Sequence, residues 1–525
     1  MTRSHGVLLA CAIVFLALSF DHLGLFPAVG EDEPWIAAAP YKLATQGVYG
    51  SDLFAGYYGV DRHNYQHMPL YPLMEAGIFR TIGVGVFEMR LLSVLFGLAL
   101  IFVVFLVGSH IGDRRVGALA VVLMMVLRIS SDEDASGILL LDRARINRYD
   151  IAVPVFGLLA FWALVRAQAT RRAAWYFATG LLTGLASLSH LFGVFWLPLF
   201  LAQSLAAPGS GLPRARAVLL VLSGFLLPWM PWVAYIVSGW TDFIGQMRFV
   251  AERLEIFDPS FYRSNALHGV GPISVDWFAT AVRDLPLPRP GAWTVILGVP
   301  IAVIVIALTT WRDRGRYGAV RMFALFSLAQ LLMFAALLKV KTINYMIGLW
   351  PLAALLLAWL GVWLWDRRKT SMRVALLVLF ALIVGEGTLR VVHAGTMARR
   401  AATYDGYTRQ IARCIPQGSR VLGLQHYWLG LRQYDYRTWL VPANLTYPAY
   451  YSGAMSLDAA LDKVDPDIIL IDRIMARYFE SASDPSHPAR ARRQAFDAFM
   501  ARRDAQLVCT IQNQTYGTMN VYRMR

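Results

Sequence analysis

Charged residues and cysteines are scarce in this sequence. Only 16% of its 525 residues are charged, whereas 57% are hydrophobic, and a chain this apolar is not expected to fold as a soluble protein. Its three cysteines are too few for a disulfide-rich scaffold. There is no internal repeat and no low-complexity tract, which argues against a repeat architecture and a long disordered segment.

The common short catalytic motifs are also missing. The sequence has no phosphate-cradling glycine loop, no GxSxG, no HExxH and no CxxC. These absences exclude the usual nucleotide-binding loop, the serine-hydrolase elbow, the zinc-protease helix and the dithiol redox site. Any chemistry must therefore come from residues brought together by the fold.

The sequence does contain long hydrophobic runs. A bilayer span needs roughly 20 mostly apolar residues, and about eleven stretches qualify as candidates, some of them short. They lie at 7–26, 91–108, 116–130, 150–166, 174–190, 192–207, 217–238, 291–310, 322–338, 345–365 and 374–392. We expect the first to be a retained span, because no small-residue cleavage site follows it. The pattern predicts a polytopic α-helical membrane protein.

The net charge of +15 is concentrated in every second connection between these stretches. The basic residues there are Arg3, Arg114, Arg115, Arg166, Arg171, Arg172, Arg214, Arg216, Arg312, Arg314, Arg316, Arg321, Arg367, Arg368, Lys369 and Arg373. This is the positive-inside bias of membrane proteins. It predicts a multi-pass protein of the plasma (inner) membrane with a cytoplasmic N-terminus. It requires no nucleic-acid partner.

Three large polar segments then fall on the outer, extracytoplasmic side. Segments 27–88 and 239–290 belong to a membrane domain of residues 1–392, and residues 393–525 have the composition of a soluble α/β domain. Amphipathic helices are predicted at 34–46 and 69–81 in the first segment. Buried strands are predicted at 420–424 and 467–472, with a terminal hairpin over 507–523.

The first polar segment contains an acidic run, Glu31-Asp32-Glu33, immediately before Pro34. Acidic residues at a helix start interact favourably with the helix dipole, and Asp32 could cap the helix. Alternatively, a carboxylate at the membrane surface can act as a general base for an acceptor hydroxyl. Both interpretations are open from these residues alone.

Two clusters of cations lie at outer helix ends, against the positive-inside bias. In segment 141–150, Arg148 and Asp150 either form a structural salt bridge or provide a phosphate-binding guanidinium and a second site carboxylate. In segment 338–345, Lys341 either extends to the membrane interface or binds an anionic lipid head group.

Histidines and cysteines complete the candidates. His63, His67 and His190 could take part in binding an acceptor or a divalent metal ion, but their spacing fits no metal motif, and hydrogen bonding is the favoured explanation for each. Cys414 and Cys509 both fall in the outer domain, where they could form a disulfide or remain buried thiols.

Several of these segments, taken in order, resemble the GT-C superfamily of membrane glycosyltransferases. The likeness is greatest to the branch of protein O-mannosyltransferases and lipid A aminoarabinose transferases. It covers roughly residues 1–365 and is carried by Asp32-Glu33, His67-Met68-Pro69-Leu70-Tyr71, Arg90-Leu91-Leu92-Ser93, Arg148-Tyr149-Asp150, and Lys341 to Tyr345 with Pro351. Relatives often have Lys-Pro-Pro-Leu where this chain has His67-Met68, which leaves the role of that position open.

The resemblance implies transfer of a sugar from a polyprenyl-phosphate donor to an acceptor protein, lipid or glycan at the outer face. It implies that Asp32 is the acid/base or the acceptor-binding residue. We predict that Asp32 is the base and that Glu33 and Asp150 are further catalytic carboxylates. Arg90, Arg148, Lys341 and Tyr345 would hold the donor phosphate, and inversion at the anomeric carbon is expected. Two other classes fit the same layout: a flippase or transporter of lipid-linked glycans, and a non-catalytic envelope assembly subunit.

Overall fold

The computed structural model describes residues 3–129, 135–206, 213–255, 258–268, 289–312, 318–339, 342–367, 369–480 and 488–525. Helices dominate the first 400 residues. They are α1 Arg3–Phe20, α2 Asp32–Gln46, α3 Leu70–Thr81, α4 Val86–Ile111, α5 Arg114–Val126, α6 Leu139–Ala144, α7 Ala152–Thr170, α8 Ala173–Ser189, α9 Trp196–Ala206, α10 Arg214–Ser238, α11 Trp240–Leu254, α12 Pro259–His268, α13 Pro290–Arg312, α14 Gly318–Leu337, α15 Trp350–Arg367 and α16 Thr370–Arg400. Short 3-10 turns occur at Asp52–Phe54, Tyr149–Ile151, Leu191–Phe195 and Tyr345–Gly348.

Within the described residues, 7 helical segments are long and apolar enough to cross a membrane: 3–20, 86–111, 149–170, 214–238, 290–309, 318–337 and 370–412. Each overlaps one of the predicted spans, so a multi-pass membrane fold is confirmed. The other four predicted spans correspond to α5, α8, α9 and α15, which have 13, 17, 11 and 18 residues. The first three are short of the roughly 20 residues that a straight crossing needs, and the number eleven stays a prediction.

Two glycines let α8 and α10 pack at close range. A Cβ atom built at Gly180 would lie 1.9 Å from the carbonyl oxygen of Val221, and one at Gly224 would lie 2.2 Å from that of Phe177. Small residues at such contacts allow helix backbones to approach each other in a membrane, where packing rather than the hydrophobic effect drives association.

The two helices predicted in the first polar segment are present as α2 and α3. Helix α2 begins at Asp32, one residue after Glu31, and the Glu33 carboxylate accepts a hydrogen bond from Gly30 N–H at 3.0 Å. A glutamate that reaches back over the helix start satisfies a donor that the helix leaves unpaired. Residues Ile36 to Pro40 of α2 are buried, so this helix packs into the protein rather than lying free on its surface.

The C-terminal region is a small α/β domain. Its elements are α17 Tyr404–Ala412, β1 Arg420–Gly423, α18 Trp428–Leu431, β2 Asp435–Thr438, α19 Leu440–Leu445, α20 Leu457–Val464, β3 Ile468–Asp472, α21 Arg473–Glu480, α22 Pro488–Arg502, β4 Gln506–Asn513 and β5 Gly517–Arg523. The five strands form one sheet in the order β2-β1-β3-β5-β4. Strand β1 is parallel to β2 and β3, whereas β5 is antiparallel to β3 and β4. This sheet includes the predicted strands and the predicted terminal hairpin.

The C-terminal domain shares a hydrophobic core with segment 27–88. Leu53, Phe54 and Tyr57 of that segment cluster with Val421 and Ile469 of the sheet. In addition, the Tyr57 hydroxyl donates to the carbonyl oxygen of Tyr450 at 3.0 Å. Because these residues are buried together, the domain is held against the part of segment 27–88 that follows α2.

A continuous helix and a disulfide also constrain the C-terminal domain. Helix α16 continues without a break to Arg400, past the predicted domain boundary at residue 393, so the boundary falls inside a helix. Cys414 and Cys509 form a disulfide, which links the segment after α17 to β4. The C-terminal domain is therefore connected to the bundle by a continuous helix as well as by its core.

Candidate active site

A cavity of about 950 Å³ lies between the helical bundle and the C-terminal domain. Its lining includes residues 26–33 before and at the start of α2, part of segment 135–148 around α6, Asn344, part of segment 391–401 at the end of α16, and the domain residues His426, Tyr427, Asp472–Ile474 and Gln514–Gly517. Asp32 and Arg148 both line it, together with Arg143 and Arg145. Acidic and basic candidate residues from distant parts of the sequence thus face one space.

Asp32 and Arg148 are in direct contact inside this cavity. An Nη1–H of Arg148 donates to Oδ2 of Asp32, and the Asp32 side chain keeps 47% of its surface exposed. Arg148 itself is buried, and its Nε–H donates to Asp150 Oδ2 at 2.8 Å. Burial lowers the pKa of Arg148, but the nearby carboxylates, Asp150 foremost, more than offset it and raise the pKa overall. Arg148 therefore stays charged between the buried carboxylate of Asp150 and the half-exposed carboxylate of Asp32.

Glu33 and Arg90 form a second ion pair, which is buried. Glu33 is 2% exposed and Arg90 is fully buried. Nε–H and an Nη2–H of Arg90 donate to the two carboxylate oxygens at 2.8 Å each. An Nη1–H donates to the carbonyl oxygen of Leu23 at 2.8 Å, and a second Nη2–H donates to that of Pro27 at 2.9 Å. Each nitrogen of the Arg90 guanidinium therefore has a partner within the protein, and the roles predicted for Arg90 at the donor phosphate and for Glu33 in catalysis stay predictions.

Asn147 extends this buried network away from the cavity. Its N–H donates to Glu33 at 2.9 Å, and its side-chain amide donates to Glu75 at 2.8 Å. The Tyr71 hydroxyl donates to Asn147 Oδ1 at 2.8 Å and also contacts Ser93 Oγ at 2.8 Å. Burial raises the pKa of Glu75 well above its usual range, so this carboxyl group is expected to be uncharged at neutral pH.

Arg143 and Arg145 flank Arg148 on the same wall of the cavity. Arg143 donates to the side-chain oxygen of Asn344. Arg145 donates from Nη2 to the carbonyl oxygens of Asp21 at 2.6 Å and Phe26 at 3.2 Å. Carbonyl oxygens carry no full charge, so these contacts orient the guanidinium of Arg145 without neutralising it.

Asp150, His190 and Tyr345 lie behind Arg148. His190 Nε2 is 3.7 Å from Asp150 Oδ1, and its ring lies 5.6 Å from that of Tyr345. Neither His190 nor Tyr345 lines the cavity. Tyr345 is nevertheless close enough to raise the pKa of Arg148 slightly. Lys341, the remaining predicted cation, lies outside the described residues.

The other two predicted histidines are apart from this group. His63 is paired with Asp242 of α11 at 2.8 Å. His67 is buried beside Trp35 and Tyr149, and burial, with the charge of Arg148, lowers its pKa to about 3. A neutral His67 cannot act as the cation that a lysine at this place would provide.

The structure gives no support to a metal site built from these side chains. In the part of the chain that the structure describes, no three histidine, cysteine, aspartate or glutamate residues are grouped so that they could hold a metal ion. The predicted possibility of a divalent metal among His63, His67 and His190 is therefore not realised by their positions.

Several cavity residues were not singled out from the sequence. Arg143 and Arg145 share with Arg148 the unusual placement of arginines on the outer side, and this signal could have identified them. His426 and Asp472 come from the C-terminal domain, and only the folded domain brings them to Glu31. Nothing in the sequence around Glu75 distinguishes it from a surface glutamate.

Comparisons with known proteins agree with the fold. Residues 66–235 match the family model described as dolichyl-phosphate-mannose-protein mannosyltransferase. No curated protein matches the chain by sequence. Among solved structures, ArnT of Cupriavidus metallidurans bound to undecaprenyl phosphate is similar over 98% of both chains, with a TM-score of 0.63 and 15% identity.

The archaeal oligosaccharyltransferase AglB of Archaeoglobus fulgidus is also similar. Its complex with an inhibitory peptide and a dolichol phosphate has a TM-score of 0.56 and 14% identity, covering 91% of this chain and 70% of AglB. The same archaeal enzyme tethered to an acceptor peptide has a TM-score of 0.58 and 12% identity, covering 99% and 74%. The predicted resemblance is thereby confirmed: this chain has the fold of the GT-C membrane glycosyltransferases.

Proposed function

We propose that this protein transfers a sugar from a polyprenyl-phosphate-linked donor to a hydroxyl group of an acceptor at the extracytoplasmic face of the membrane. The observation that carries the proposal is the contact between the half-exposed Asp32 and Arg148 in the cavity under the C-terminal domain. A candidate base and candidate phosphate-binding arginines face the same space, as displacement at a sugar phosphate requires.

The reaction is a single displacement. Asp32 accepts the proton of the acceptor hydroxyl as its oxygen attacks the anomeric carbon. The bond between that carbon and the phosphate oxygen breaks, the configuration inverts, and the polyprenyl phosphate leaves. General-base catalysis of this kind contributes about 10²- to 10⁴-fold to a rate.

Arginines of segment 143–148, which line the same cavity as Asp32, stabilise the charge that grows on the leaving phosphate. Arg145 is suited to this role because its contacts are to uncharged carbonyl oxygens. Arg148 contacts two carboxylates, so its main effect is to orient Asp32. Guanidinium groups match phosphate oxygens in pairs. Lys341 and Tyr345 remain proposed members of the phosphate site, whereas the buried Arg90 is not included.

The lipid carrier is inferred from two structural relatives. ArnT was solved with bound undecaprenyl phosphate and AglB in complex with a dolichol phosphate. By analogy, the prenyl chain of the donor lies between the helices next to the cavity. An inner-membrane location, with the N-terminus in the cytoplasm and the C-terminal domain outside, follows from the positive-inside bias.

The test uses purified protein in lipid nanodiscs, radiolabelled polyprenyl-phosphate sugars and an extract of the cell envelope as the source of acceptors. Wild-type protein should move label to an acceptor, and Asp32→Asn should reduce the rate at least about a hundredfold while leaving donor binding unchanged. The matched control is Asp61→Asn, which changes an aspartate of the same polar segment that does not line the cavity.

The alternative classes give different results in the same experiment. A flippase or transporter, placed in liposomes, would move the polyprenyl-phosphate sugar across the bilayer but would not transfer label to an acceptor. An assembly subunit would do neither. Either result would contradict the transferase proposal.

A further inference from the structure

The C-terminal domain supplies one wall of the cavity. His426 and Tyr427 lie directly after β1, and Asp472 ends β3, so the sheet brings all three to one edge. The backbone of His426 is held by the Tyr404 hydroxyl, which donates to its carbonyl oxygen at 2.7 Å. Tyr427 donates to Asp472 Oδ2 at 2.7 Å. This wall is therefore rigidly supported rather than a loose cover.

His426 faces Glu31 across this part of the cavity. His426 is 8% exposed, and its Nδ1 atom is buried without a hydrogen-bond partner. Its Nε2 atom lies 4.0 Å from Oε1 of Glu31, whose side chain is 48% exposed. The separation is too long for a direct hydrogen bond. It fits one oxygen atom between them at about 2.8 Å from each.

A hydroxyl group has the right chemistry for this gap. It can donate its proton to the Glu31 carboxylate and accept from an imidazole N–H of His426 at the same oxygen. Burial, together with the charges of Asp32 and Asp472, raises the pKa of Glu31. The two neighbouring carboxylates, Asp32 and Asp472, would disfavour an anionic group here and favour a neutral one.

We propose that Glu31 and His426 together bind a hydroxyl group of a neutral, polyhydroxylated acceptor. The inference rests on the proposed transferase function and deepens it. Glu31 immediately precedes Asp32, so a hydroxyl-bearing acceptor held there lies beside the proposed base. The arginines that would bind phosphate come instead from residues 143–148. The C-terminal domain is then part of the acceptor site.

The experiment measures binding of phenyl glycosides, whose sugar hydroxyls are neutral, to the full-length protein in nanodiscs by saturation-transfer NMR titration. Glu31→Gln and His426→Phe should each weaken binding about tenfold, the effect of losing one hydrogen bond to a charged or polar partner. The double variant should bind less than a hundredfold more weakly than wild type, because the two residues share one ligand atom.

Matched controls are Glu252→Gln on the exposed face of α11 and His110→Phe at the far end of α4. Both should bind like the wild type. Wild-type affinity in Glu31→Gln and His426→Phe, or no binding of phenyl glycosides to the wild type, overturns the proposal. Failure of the proposed function has a separate signature: phenyl glycosides bind as described, but no sugar is transferred from a polyprenyl-phosphate donor.

Discussion

Asp32 and Glu33 are neighbours in α2, and each forms an ion pair with an arginine. The Glu33 pair is buried, whereas the Asp32 pair lies at the wall of the cavity. Glu33 is sealed with Arg90, where each carboxylate oxygen and each nitrogen of the guanidinium has a partner within the protein. Asp32 contacts Arg148 at the cavity wall and keeps nearly half of its side chain exposed. The comparison shows that two adjacent carboxylates of one helix differ sharply in exposure, although both border the cavity. We propose that this exposure, and not the chemical type of the residue, decides which of them acts on a ligand.

The two ion pairs also differ in what they contribute to the stability of the fold. A buried ion pair contributes little net stability, because desolvation offsets attraction, but removing one partner leaves an uncompensated charge. An exposed carboxylate at a cavity can lose its charge at a much smaller cost to folding. We therefore expect mutations of the sealed pair to act on stability and mutations of the cavity residues to act on activity.

The largest effect on stability is expected for Arg90→Met. This variant removes the partner of a buried Glu33 carboxylate, and the free energy of unfolding should fall by about 3 to 5 kcal/mol. Thermal unfolding of the purified protein in nanodiscs measures the change. The matched control is Arg80→Met on the exposed side of α3. An unfolding temperature equal to that of the control would mean that the pair does not hold α2.

A smaller effect, confined to activity, is expected for Arg145→Gln. Loss of a guanidinium aimed at the leaving phosphate should reduce sugar transfer about a hundredfold, with the unfolding temperature unchanged. Rates with radiolabelled polyprenyl-phosphate sugar give the measurement. Arg399→Gln, on α16 but outside the cavity lining, serves as the control. If Arg145→Gln unfolds at a lower temperature while its folded fraction transfers sugar at the normal rate, Arg145 stabilises the fold and does not act on the leaving phosphate.

The smallest effect is expected for Glu75→Gln. Burial raises the pKa of Glu75 and so favours the uncharged carboxyl group, which an amide of the same shape can replace. The free energy of unfolding should change by less than about 0.5 kcal/mol. Glu33→Gln, in contrast, should lower it by about 3 kcal/mol, since Arg90 would keep a buried charge. Equal losses in the two variants would show that Glu75 is charged.

Most of the fold could be predicted because its signals are local. Hydrophobic length and the distribution of arginines identify the membrane helices, and Pro34 and the apolar side of 69–81 identify α2 and α3. Buried runs such as Ile468–Ile471 predict strands. The number of spans could not be decided this way, because α5 and α9 are apolar but shorter than a bilayer requires.

The site was predicted less completely because its partners come from separate regions. Position and charge alone marked Asp32 and Arg148 as candidates, and these residues are in contact. Whether an arginine is sealed, as Arg90 is, or faces a cavity, as Arg145 does, depends on tertiary packing. His426 needs the whole C-terminal sheet to reach Glu31, and no sequence signal predicts such a contact.

The most direct measurement compares Asp32→Asn with Glu33→Gln in one experiment that records sugar transfer and thermal unfolding for both. We predict that Asp32→Asn loses transfer at least about a hundredfold and unfolds at the wild-type temperature, whereas Glu33→Gln unfolds at a lower temperature. Wild-type turnover by Asp32→Asn would contradict the central claim that this carboxylate is the base.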